Sequence, residues 1–129
     1  MRTRVVDRVP EWRYQAEVVA RLHNLEAKGW AFTCAGDMAA GARSKAARAL
    51  AKATGLTAGE PDVRVYLTGG RLLSIELKTP DGRRSKEQRE RHARLIALGF
   101  EVLTIAAATP EAMADRVEAE IKERLSCCI

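Results

Sequence analysis

Gly69-Gly70 lies between two runs in which apolar residues alternate with others, and this arrangement constrains the fold more than any other feature of the chain. Two consecutive glycines can both take positive φ without steric cost, so the pair reads as the turn of a β-hairpin. On the second strand Leu73, Ile75 and Leu77 share one face, while Ser74, Glu76 and Lys78 share the other. The first strand divides into Val63, Val65 and Leu67 against Asp62, Arg64 and Tyr66. A strict two-residue turn would set Asp62 opposite Leu77, on the wrong face to meet Glu76. A three-residue loop or a bulge moves the register by one and brings Asp62 beside Glu76 or Lys78, so one such irregularity is expected.

The remaining elements follow from spacing and caps. Glu11 to Lys28 carries Val18, Val19, Leu22 and Leu25 at helical spacing, with Gly29 as its cap. Trp30 to Thr33 reads as a short strand and Cys34 to Gly41 as a loop. Ser44 caps an Ala-rich helix that reaches about Thr54 and closes at Gly55. After the hairpin, at about Asp62 to Thr79, Ser85 and Gln88 form a capping box that opens a helix to Leu98, stopped by Gly99. Glu101 to Ala106 reads as a strand, and Thr109-Pro110 starts a last helix carrying Met113, Val117 and Ile121 toward Leu125. The strand–helix–strand unit from Leu72 to Ile105 calls for a crossover between parallel strands. The expected fold class is therefore α/β: a mixed β-sheet, hairpin plus added parallel strand, flanked by helices.

One domain over residues 1–129 is expected, with its core at about 11–106 and a C-terminal helix at about 110–125. A chain of this length buries roughly two thirds of its unfolded surface, enough for an independent core. The 47% hydrophobic and 30% charged residues are those of a globular protein. No apolar run approaches a membrane span, and Met1-Arg2-Thr3-Arg4 has no apolar segment after it, so a cytoplasmic protein without a signal peptide is expected. Cys34 stands alone, Cys127 and Cys128 are adjacent, and neither His23 nor His92 has ligand spacing to a cysteine pair. Free thiols fit that pattern better than a disulfide framework or a structural zinc site.

The net charge is +5. Its distribution matters more: Arg43, Lys45, Arg48 and Lys52 fall in one short stretch, and Arg83, Arg84, Lys86, Arg89, Arg91 and Arg94 follow the second hairpin strand. Basic clusters on both sides of a carboxylate pair suit a polyanion, so Arg43, Lys45, Arg48, Arg83, Arg84 and Lys86 are candidate nucleic-acid contacts. Asp62 and Glu76, with the backbone carbonyl of Leu77, offer oxygen donors to a hard divalent cation such as Mg2+ or Mn2+. Lys78, on the face of Glu76, would orient an attacking water and neutralise phosphate charge. Hydrolysis of a phosphodiester needs this combination.

Pro61-Asp62 followed by Glu76-Leu77-Lys78 resembles the signature of the PD-(D/E)XK nuclease superfamily, with its restriction-endonuclease-like core. With Arg43-Ser44-Lys45 before them, and Thr79-Pro80, Gly82-Arg83 and Ser85-Lys86-Glu87-Gln88 after, they resemble the virus-type replication-repair nuclease (VRR-NUC) domain from about Glu11 to Ile105. The resemblance implies a site glutamate on the first helix, four residues ahead of a glutamine, which Glu11 and Gln15 match; Glu17 on the same helix competes. It also implies that Gln88 approaches the site; the capping box alone would explain Gln88, but both roles can hold if the residue does one job at a time and switches on metal binding. Where many relatives carry an asparagine and paired glycines, this chain reads Ala35-Gly36-Asp37-Met38-Ala39-Ala40-Gly41-Ala42. The stand-alone phage and bacterial form is implied to be a homodimer that cuts branched DNA, as Holliday-junction resolvases do. Trp12, Tyr14 and the Val5-Val6 arm are the apolar surface expected to serve such a dimer.

Two functions of different classes fit these residues. The first is a metal-dependent endonuclease on branched DNA. The second is a non-catalytic nucleic-acid-binding or assembly module that keeps the fold, which gives no reason for two carboxylates to face a phosphate.

Overall fold

The computed structural model of the chain describes residues 8–37, 44–55 and 57–126. Its elements run α1 (Glu11–Ala27), β1 (Phe32–Gly36), α2 (Lys45–Ala53), β2 (Val63–Leu67), β3 (Arg71–Lys78), α3 (Lys86–Ala97), β4 (Glu101–Ala106) and α4 (Pro110–Ser126). The strands form a four-stranded mixed sheet in the order β1-β2-β3-β4, with β4 parallel to β3 and the other pairs antiparallel. This is the expected α/β class.

The hairpin has the irregularity the carboxylates require. Leu67 pairs with Arg71, so the loop is Thr68-Gly69-Gly70, a three-residue connection rather than a two-residue turn. Both glycines are left-handed, at φ 83° and 75°, where an L side chain would be strained. Val63 consequently pairs with Ile75, and continuing the register one step sets Asp62 opposite Glu76.

One reading needs correction. Residues 34–36, expected as loop, extend β1 to Gly36 and pair with Val63–Val65 of β2. The ladder continues past the strand through a hydrogen bond from Asp37 N–H to the Asp62 carbonyl (3.0 Å). Cys34-Ala35-Gly36 has little intrinsic strand preference; pairing with a buried neighbour overrides it.

Alternation sorts the sheet's faces. Val63, Val65, Leu67, Leu73, Ile75 and Ile105 join Tyr14, Val18, Leu22 and Leu25 of α1 and Met113, Ala114, Val117 and Ile121 of α4 in one core. Full burial of each such aliphatic side chain contributes about 1.5–3 kcal/mol. Tyr14, expected at a dimer surface, is buried there, and its hydroxyl donates to the Ala108 carbonyl (3.0 Å). Its apolar ring and one long-range hydrogen bond anchor α1 to the β4–α4 connection, leaving nothing for a partner. Trp12 remains 61% exposed, and Val5-Val6 lies outside the described residues.

α3 begins as expected, with Ser85 Oγ accepting from Gln88 N–H (3.1 Å) and Gln88 Oε1 accepting from Ser85 N–H (2.8 Å). Gly59, at φ 81°, lets the loop before β2 touch the start of α3: a Cβ there would stand 2.3 Å from the Glu87 carbonyl oxygen. That contact locks the chain leading into Asp62 to the helix that carries Gln88.

Candidate functional site

A cleft of about 1250 Å³ opens where α1, the ends of β2 and β3, α2 and the start of α3 come together. Its walls hold Glu11, Asp62, Glu76, Leu77, Lys78 and Gln88, the complete set of residues expected at a catalytic and metal site. Of the two candidates on the first helix, Glu11 lines the cleft and Glu17 does not.

At the floor, Asp62 Oδ2 accepts from the Leu77 backbone N–H (2.7 Å), which fixes the aspartate against the edge of β3. In an extended strand the N–H and C=O of one residue point to the same neighbour, so the Leu77 carbonyl faces the Asp62 side as well. Glu76 is only 4% exposed. Its Oε1 accepts from Gln88 Nε2 (2.6 Å), and its Oε2, fully buried, has no hydrogen-bond partner. Gln88 therefore does two jobs at once, correcting the expectation of one: an amide carries an acceptor and a donor, and here the oxygen caps α3 while the nitrogen holds Glu76.

Burial, reinforced by the facing Asp62 charge, pushes the Glu76 carboxyl up to about 8. Asp62 is also raised, first by burial, with its hydrogen bond from Leu77 opposing. Two carboxylates facing each other at low dielectric cannot both ionise cheaply, so the pair holds a proton or attracts a cation. The orphaned Glu76 Oε2 and the all-oxygen donor set fit a hard divalent ion. Among the described residues no three or more Asp, Glu, His or Cys side chains gather as a complete ligand set. Such a two-carboxylate site leaves positions for the Leu77 carbonyl, water and a phosphate oxygen, the pattern that suits Mg2+.

Behind Glu76 lie His92, which has no place in the sequence-based site, and Arg84, expected only as a nucleic-acid contact. His92, 1% exposed, presents Nε2 to Glu76 Oε2 at 3.5 Å, and its Nδ1 lies 2.9 Å from Arg84 Nη2. A guanidinium only donates, so Nδ1 carries the lone pair and Nε2 the proton, which makes no hydrogen bond among the described residues. Burial first, then the Arg84 charge, holds the imidazole's pKa below its ordinary value. The available signal was spacing: His92 follows Gln88 by four residues, on the same face of α3.

The candidate nucleic-acid contacts divide. Arg48 and Lys52 of α2, with Arg83 and Arg84, line the cleft beside the carboxylates. No described carboxylate forms an ion pair with Arg48, Lys52, Arg83 or Lys78. Arg84 also places one guanidinium nitrogen, Nη2, 2.9 Å from His92 Nδ1. Lys45 and Lys86 do not line the cleft: Lys45 starts α2, and Lys86 turns outward to Glu90, 3.7 Å away on the solvent side of α3. Arg43, Cys127 and Cys128 lie outside the described residues. Gln15 braces the opposite side, donating to the carbonyls of Asp37 (2.5 Å) and Asp62 (3.4 Å). No described helix is long and apolar enough to cross a membrane.

No protein-family model matches this sequence, and no curated protein matches it. Solved structures do. One, a "VRR_NUC domain protein", superposes with a TM-score of 0.61 at 20% identity over 92% of this chain and 89% of its own. Another, a "VRR_NUC domain", superposes with a TM-score of 0.51 at 20% identity over 84% of this chain and 94% of its own. With its mixed sheet, flanking helices and near-complete mutual coverage, the chain has the fold of the VRR_NUC domain.

Proposed function

We propose that this protein is a divalent-metal-dependent nuclease that hydrolyses DNA phosphodiesters in the cleft around Asp62 and Glu76. One observation carries the reading: a buried carboxylate pair with an orphaned oxygen shares a cleft with four cations, Lys78, Arg48, Lys52 and Arg83, that no described carboxylate neutralises. A polyanion bound by those cations would bring a phosphate to the carboxylates. The VRR_NUC fold supports the same class of chemistry.

Asp62, Glu76 and the Leu77 carbonyl would hold Mg2+ or Mn2+, with Glu11 reaching the ion directly or through water. The bound ion supplies Lewis acidity and lowers the pKa of a coordinated water. Gln88 keeps Glu76 Oε1 in place. Lys78 orients the attacking water and offsets the charge that builds on the phosphate.

The finer reading, a homodimer that resolves four-way junctions, needs a two-fold interface outside Tyr14. Light scattering at micromolar concentration tests it: a mass near the chain's own 14.2 kDa would exclude paired sites and move the substrate toward flaps or nicked duplex. The parent reading is tested by incubating linear duplex, flap and four-way junction DNA with Mg2+, Mn2+ or chelator. Cleavage only with metal supports it; DNA binding without cleavage under any metal would favour the non-catalytic binding module.

A further inference from the structure

The cleft has an apolar wall that neither the core nor the hydrolytic chemistry requires. α1 spends Tyr14, Val18, Leu22 and Leu25 on the core. Trp12, Ala16 and Val19 form a neighbouring stripe at helical spacing, and all three line the cleft. Val19 is partly packed against the core, but Trp12 is 61% exposed and directly follows the site residue Glu11. A large indole left in water at the mouth of a charged cleft is an exposed apolar group with no described hydrogen-bonding partner. Arg48 and Lys52, one helical turn apart on α2, and Arg83 supply cations to the same cleft.

We infer that Trp12 is a base-stacking platform and that the strand cut in this cleft carries an unpaired nucleotide beside the scissile phosphate. The inference rests on the nuclease reading and names the form of its substrate. A cleft with an apolar aromatic surface, a set of cations and a carboxylate floor matches a single strand, whose bases and phosphates need different surfaces. Aromatic side chains stack on bases of any sequence while basic groups follow the backbone. A base inside a duplex has both faces covered by its neighbours, so Trp12 can engage only one that is unstacked, as at a flap, a branch or a frayed end.

The fluorescence of Trp12 tests this directly. Trp30→Phe removes the other indole, which lies under Lys122 Nζ (5.2 Å) and does not line the cleft. In chelator, a short oligothymidylate should quench the remaining indole saturably, and a blunt duplex of equal length should quench it far less. In the otherwise native chain, Trp12→Ala should weaken single-strand binding by roughly ten-fold, and Trp12→Phe should restore most of it. Unchanged melting of Trp12→Ala assigns the loss to the missing ring. Equal quenching by duplex, single-strand binding without quenching, or undiminished binding by Trp12→Ala would overturn the stacking role while leaving the nuclease reading intact. If the native chain binds neither DNA in chelator, the polyanion reading of the cleft fails, and this inference with it.

Discussion

Between pH 6.5 and 8, the metal-free protein should become less stable as pH rises, and a divalent cation should remove the effect. Glu76 titrates at about 8 in the fold against an ordinary value of 4.5, so the folded state keeps a proton that the unfolded chain has released. Stability falls wherever the folded state binds more protons than the unfolded one. Asp62, also raised, acts in the same sense. His92 acts oppositely: its depressed pKa makes stability rise with pH, but only up to about its ordinary value of 6.5. Above that value the carboxylates act alone. At about 1.4 kcal/mol per pH unit for one proton, the loss between pH 6.5 and 8 comes to about 2 kcal/mol. Urea unfolding in chelator across this range measures it, and Glu76→Gln should flatten the slope. An ion that binds only the folded site displaces the proton, and saturation to a hundred times its Kd adds about 2.7 kcal/mol. Stability that stays level or rises over this window in chelator, or that Mg2+ leaves unchanged, would refute the claim that the carboxylate pair carries excess negative charge awaiting a cation.

Gln88→Ala removes both the reciprocal cap of α3 and the donor to buried Glu76 Oε1, and should cost about 2–3 kcal/mol in urea unfolding. Gln88→Glu keeps a capping oxygen but sets a carboxylate against Glu76, so it should retain the helix, by circular dichroism, while losing cleavage. Neutralising Arg48, Lys52 or Arg83 singly should lower the salt slope of log K for DNA by about one each, whereas Lys86→Ala should leave it unchanged. Fluorescence anisotropy across a salt series reads both.

The juxtaposition of the two candidate carboxylates was legible because the proposed chemistry demanded a register that the turn alone did not give. Asp62 could reach the face of Glu76 only through a three-residue connection or a bulge, and the connection is three residues long, completed by Thr68. β1 was less legible, since Cys34-Ala35-Gly36 pairs through its neighbours and not through its own propensity. His92 escaped, and the contact of Arg84 with it was not foreseen, because both depend on how α3 packs behind Glu76, which no local spacing reports. Helical phase placed Arg48 and Lys52 together, but which basic residues face the cleft was decided by how α2 and α3 sit on the sheet. Tyr14 and Trp12, two residues apart on α1, point to different fates for the same reason: one faces the core and the other the cleft.

In the proposed reaction Asp62 and Glu76 hold the ion while Lys78 acts on the water. Cleavage of flap and duplex DNA, measured with Mn2+ beside calorimetric titration of the same ion, separates these roles in one set of variants. Asp62→Asn and Glu76→Ala should lose both Mn2+ binding and cleavage while still binding DNA in chelator. Lys78→Ala should keep the Mn2+ isotherm and lose about 10²- to 10⁴-fold in rate. Wild-type cleavage by Asp62→Asn or Glu76→Ala, or an unaltered Mn2+ isotherm in both, would contradict the account.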